Sequence, residues 1–103
     1  MNDIAAERSW YAISPEGTGH TLVVRVGVPA KRVDDWSCSV SLGVLDSYPY
    51  MIYGIDSWQA IQQAILFAAR RVGHFIEDGW KLYWEENGDE ADQNDLLEWK
   101  SPL

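Results

Sequence analysis

Cys38, His20 and His74 are the side chains from which a nucleophilic or soft-metal site would have to be built, and their placement works against both. A cysteine nucleophile needs a base within hydrogen-bond reach to generate its thiolate. Cys38 lies on the apolar face of an alternating strand and His74 on the polar face of a helical stretch, so pairing them would turn one element inside out. Two histidines far apart and one cysteine make a poor zinc set. The carboxylates Asp89, Glu90, Asp92 and Asp95 lack the sixth-position glycine and the closing glutamate of a calcium loop. Gly17-Thr18-Gly19-His20 precedes a strand and not a phosphate-binding helix, so it reads as a hairpin turn. The sequence therefore predicts no catalytic residue, no metal ligand and no cofactor.

What remains is recognition. Glu85, Glu86, Asp89, Glu90, Asp92, Asp95 and Glu98 place seven acids and no base in fourteen residues, while the rest of the chain carries nine acids and eight bases. Such a block repels phosphates, which argues against nucleic acid. It is either a solvated segment or a surface for a basic protein partner, with Glu85, Glu86, Asp89, Glu90 and Asp92 as the expected contacts. Six tryptophans and five tyrosines fill a small core or supply contact anchors. Phe67, beside the polar stripe of the helix, is the apolar residue expected at a partner surface.

The elements that position these residues follow from periodicity. The 103 residues suit one domain, 1–103, with an acidic C-terminal segment 85–98. Trp10–Ile13 reads as a first strand. His20–Val28 alternates, with Leu22, Val24, Val26 and Val28 on one face, and Pro29 ends it. Ala30–Asp35 is a charged loop. In Trp36–Leu42, Trp36, Cys38, Val40 and Leu42 face one way and three serines the other. Tyr48–Ile55 is a fourth strand and Trp80–Glu85 a fifth. Between them Asp56 caps a helix over Ser57–Glu77, with Gln59 placed to return a hydrogen bond to the Asp56 amide. Trp58, Ile61, Ile65, Ala68, Ala69, Val72, Phe75 and Ile76 form its apolar arc. Asp92–Lys100 reads as a short helix presenting Leu96, Leu97 and Trp99. The prediction is an α+β fold: an antiparallel sheet of four to five strands with one long helix packed on one face.

Arg25-Val26-Gly27-Val28-Pro29, Trp36-Ser37-Cys38 and Gly54-Ile55-Asp56-Ser57-Trp58-Gln59-Ala60 occur in that order, and Trp84 follows the helix. This succession resembles a family of small bacterial proteins carrying a domain of unknown function, with Arg-x-Gly-x-Pro, Trp-x-Cys and Gly-x-Asp-x-x-Gln-Ala motifs. The resemblance covers roughly residues 20–85. It departs where Ile-Gln-Gln follows Ala60 in place of a Leu-rich run, and in the longer acidic segment. It implies an α+β fold and assigns no catalytic residue. Small acidic bacterial proteins of this build are also similar to immunity proteins, which bind toxins.

A single cysteine permits no internal disulfide, which favours a reducing compartment. The first residues lack a basic stretch followed by an apolar one, and no apolar run is long enough for a membrane span. The expectation is a cytoplasmic, non-enzymatic interaction module such as an immunity-type inhibitor. The alternatives are a homodimer closed by exposed aromatics and a small-ligand binder.

Overall fold

Strands form where the side-chain period is two, and the pairing register then decides which side chains share a face. The structure, a computed structural model, describes residues 3–98. Its strands are β1 (Ile4–Ile13), β2 (Gly19–Gly27), β3 (Ala30–Lys31), β4 (Trp36–Ser41), β5 (Tyr50–Gly54), β6 (Lys81–Tyr83) and β7 (Glu90–Ala91), with helix α1 (Ser57–Glu77) between β5 and β6. All pairings are antiparallel. Trp10 lies opposite Leu22, and Val26 opposite Val40, so Trp10, Ala12, Leu22, Val24, Val26, Cys38 and Val40 share the buried face. The sheet has seven strands, not four to five. Two causes account for the difference. Pro29 interrupts a single lane, so β2 and β3 pair in succession with the same side of β4. The acidic segment also contributes β7, which extends the sheet beyond β6. Read by lanes the order is β5, β4, β2 with β3, β1, β6, β7. Thus β5 forms one edge and β7 the other.

Helix α1 starts and stops as the sequence predicts. The Asp56 carboxylate accepts from the Gln59 amide at 2.7 Å. Gln59 returns its bond one residue earlier than expected: its Oε1 accepts from the Ile55 amide at 2.8 Å. Gly79, with φ +112°, ends the helix in the left-handed conformation open to glycine. The fully buried positions of α1 are Ala60, Ala64, Ala68, Ala69 and Val72. Small residues on this ridge let the helix lie close to the sheet, and Ile61, Ile65, Phe67, Phe75 and Ile76 pack half-buried around them. Trp58, expected in the apolar arc, is instead 72% exposed. Its angular position matches Ile65 and Ala69. On that flank, however, cover comes from the 3-10 turn Gln93–Leu96, whose Leu96 packs against the core and shares a cavity with Ile65 and Ala68 while Gln93 lies by Gly73. The first helical turn lies beyond that cover.

Other boundaries also move. β1 begins six residues before Trp10, because its amphipathic start pairs along β2 as far as Gly27. β5 is shorter than Tyr48–Ile55, since Pro49 and the helix cap confine it. The expected helix after Asp92 is a single 3-10 turn closed by a reciprocal Asp92–Asp95 capping box. Trp99 and Lys100 lie outside the described residues. Ser37, Ser39 and Ser41 do face away from α1, and Ser37 is nonetheless buried between its lateral neighbours Ala30 and Tyr53.

Packing and capping make separable contributions to the helix. Asp56→Ala is expected to cost about 1 kcal/mol. Ile65→Ala is expected to cost about 2 kcal/mol, the low end for a core truncation, because Ile65 already borders a cavity of about 140 Å³. Urea melts of the two variants check the order; a larger loss for Asp56→Ala would show that capping dominates.

Candidate functional site

The acidic residues occupy a folded edge of the sheet. A turn in which the Gly88 amide donates to the Glu85 carbonyl at 2.8 Å joins β6 to β7, with Asn87 in the left-handed region. Glu85, Glu86, Asp89 and Glu90 are exposed on this hairpin. Glu86 leans toward Tyr11, whose phenol is pushed up by burial and then by that carboxylate. Asp92 is exposed but already committed as a cap: its carboxylate accepts from the Asn94 amide, and Asp95 accepts from the Asp92 amide at 2.9 Å. Arg8 ties the segment down. Its guanidinium donates to the Asp95 carbonyl at 3.0 Å and lies 4.7 Å from the Trp84 ring and 5.5 Å from Trp10. The acidic block is therefore held in place and not a free tail.

Phe67 stands elsewhere and is partly covered. It is half-buried, with its ring 4.8 Å from Tyr50, which in turn lies 4.9 Å from Tyr48. This aromatic row flanks a polar group absent from the sequence-based expectations. Asp46 accepts from the Tyr50 hydroxyl and from the Tyr48 amide at 3.0 Å, and Arg71 approaches it at 3.5 Å while stacking over Phe75. The Asp46–Tyr48 turn is a local signal that Asp commonly gives. Arg71 lies too far along the chain for any local pattern to reveal it. The Tyr50 hydroxyl, first, and the Tyr48 amide hold the Asp46 carboxyl below its ordinary value of 3.8, with Arg71 adding to both. The same bond pushes the Tyr50 phenol up, because ionising it would set two anions together.

A carboxyl depressed in the folded state adds stability above the unfolded value, and that stability is lost as pH falls through the folded value. Tyr50→Phe is expected to move the Asp46 titration upward and to flatten the acid limb of stability below about pH 4. Carbon-detected NMR titration of Asp46 checks this; an unchanged titration would show that Tyr50 does not hold the carboxylate.

The third feature is β5 itself. Among the described residues it pairs only with β4, leaving its outer edge unpaired. Its five residues carry no charge. On the face away from α1, Met51 and Tyr53 are 44% and 49% exposed, with the Arg32 guanidinium 4.5 Å above the Tyr53 ring. Ile55 (78% exposed) lies beside Val33 (95%) just past the end of β5, and Trp58 follows in the first turn of α1. Natural sheets usually blunt such an edge with lysine, proline or a bulge. Among the described residues only Pro49, just before the strand, does so here.

Cys38 and the two histidines stay apart. Cys38 is buried, its thiol donates to the Gly27 carbonyl at 3.1 Å, and burial pushes it up. His74 is exposed on α1, and His20 lies against Trp80 with ring centroids 5.7 Å apart. Among the described residues no group of three or more His, Cys, Asp or Glu is placed to hold a metal ion, and no helix is long and apolar enough to cross a membrane. The model of a family described as a domain of unknown function, DUF6968, matches residues 6–94, which include all three sequence motifs. No curated protein and no solved structure matches the chain.

Proposed function

We propose, starting from a chain that belongs to the DUF6968 family of unknown function, that this protein is a non-enzymatic interaction module. Its contact surface is the β5 edge and the apolar residues around it. The observation that carries this reading is an uncharged strand whose outer edge is unpaired among the described residues, with Tyr53 half-exposed on it and Ile55 and Trp58 exposed just beyond it. Exposed Trp and Tyr are the residue types that dominate binding hot spots. The opposite edge supports a second contact. Glu85, Glu86, Asp89 and Glu90 are fixed in place on the β6–β7 hairpin with no base among them, so a basic partner would be steered toward it. An immunity-type inhibitor that holds a basic toxin at this edge is one role of that kind.

Quantitative affinity capture from the source cells tests the module reading. Tyr53→Ala and Trp58→Ala should leave the melting temperature within about 3 °C, since Tyr53 is half-exposed and Trp58 largely exposed. Each should reduce recovery of a specifically bound protein by about tenfold or more. Recovery unchanged by both substitutions would overturn this surface. Loss of binding on reversing Glu85, Glu86, Asp89 and Glu90 to lysine, with an on-rate that falls as salt rises, would assign the contact to the acidic edge instead.

A further inference from the structure

We propose that the β5 edge pairs with β5 of a second copy of this chain, antiparallel about a two-fold axis at Ile52, to form one sheet across two protomers. This rests on reading the β5 edge as a contact surface and names its occupant.

The strand is its own complement. Centred on Ile52, antiparallel pairing sets Ile52 against its own copy, Met51 against Tyr53, and Tyr50 against Gly54. Each outer-face pair then joins a thioether to an aromatic ring, a favourable contact that covers two side chains now about half exposed. On the inner face the large Tyr50 meets the small Gly54, so neither pair is overfilled. A register centred on a residue satisfies the outward-pointing amides and carbonyls of both strands, whichever alternate set faces out. Pro49 cannot donate to a ladder, which limits the seam to these five residues.

Charge selects the occupant. β5 itself carries none, and the Arg32 guanidinium over Tyr53 is already paired with Asp35 at 2.9 Å, so an uncharged apolar strand such as its own sequence fits best. The net charge of −8 opposes self-association, but it is concentrated at the other edge of the sheet. With lanes about 4.8 Å apart, joining two copies through β5 leaves their β7 edges roughly 50 Å apart. That is several Debye lengths at physiological salt, so the acidic blocks scarcely interact. Pairing through β7 would instead set the two blocks against each other.

Sedimentation velocity of the intact chain over a range of concentrations, with charge-swapped variants, provides the test. The unaltered chain is expected to sediment as two chains, with little change as salt is raised. Met51→Lys/Tyr53→Lys places lysines opposite lysines across the seam and should sediment as one chain with an unchanged far-ultraviolet spectrum. Met51→Glu/Tyr53→Glu should behave likewise. Mixing the two variants should restore a species of one copy of each, which a merely unfolded variant would not do. A chain that stays monomeric at every concentration overturns the self-pairing. A dimer indifferent to both variant pairs overturns the assigned edge. Monomer together with captured proteins that depend on Tyr53 would give the edge to a foreign strand and leave the module reading standing. Capture independent of Tyr53 and Trp58 would remove that reading as well.

Discussion

Trp10→Ala is expected to destabilise the protein by about 3–5 kcal/mol, the range for removing a buried indole. Trp10 is 2% exposed on the helix-facing side of β1, opposite Leu22. Its ring meets Trp84 edge-on at 6.0 Å, and Arg8 stands over both indoles while donating to the Asp95 carbonyl. Truncation therefore empties core volume and also loosens the bracket that holds the acidic segment. Amide exchange should accelerate first at Glu90, Ala91 and Asp95 and only afterwards in β2 and β4. Trp10→Phe separates size from polarity. The indole Nε1 is buried with no hydrogen-bond partner among the described residues, so phenylalanine sacrifices no bond seen there and keeps much of the apolar contact. A cost of about 1–2 kcal/mol is expected, in line with volume-reducing apolar changes. A phenylalanine variant as unstable as the alanine one would show that the indole N–H has a partner worth keeping.

The same bracket shows why part of the molecule was legible in its sequence and part was not. Strand and helix periods are local, so Leu22–Val24–Val26, Cys38–Val40–Leu42 and the limits of α1 follow directly from the order of residues. Seven acids in fourteen residues swamp the two-residue apolar alternation of Glu90–Ala91, so β7 is hidden inside what reads as a solvated run. Arg8 reaches across 87 positions to Asp95, and Arg71 across 25 to Asp46; no spacing rule connects such residues. Phe67 illustrates a subtler limit. Helical angle sets it beside the polar stripe, but only the tertiary structure places Tyr50, backed by Tyr48, against it and partly covers it. Trp58 fails in the opposite sense, having the correct angle but nothing among the described residues laid across it. The exposed β5 edge was equally out of reach, because strand order is a property of the sheet and not of any strand.

Gly54→Ala is expected to cost about 3 kcal/mol, several times the effect of losing the Asp56 cap, although it adds one methyl group. A Cβ at position 54 would fall within 2.8 Å of the Ala60 Cα and closer still to the Ala60 amide nitrogen. Both are backbone atoms of the first helical turn and cannot swing aside as a side chain would. Relief requires moving the end of β5 away from α1, and that displaces Ala60 and Ala64 from the ridge on which the helix seats. This contact also gives Gly-x-Asp-x-x-Gln-Ala a physical meaning. Gly54 admits the helix backbone, Asp56 caps the Gln59 amide, Gln59 holds the Ile55 amide, and Ala60 is small because it faces Gly54. The motif is a joint between sheet and helix, and every residue in it is accounted for without a ligand. Urea unfolding of Gly54→Ala beside Asp56→Ala tests the ranking. A Gly54→Ala variant that loses less than the cap variant would mean that β5 and α1 separate easily, and the close seating of the alanine ridge would have to be abandoned as the main anchor of the helix.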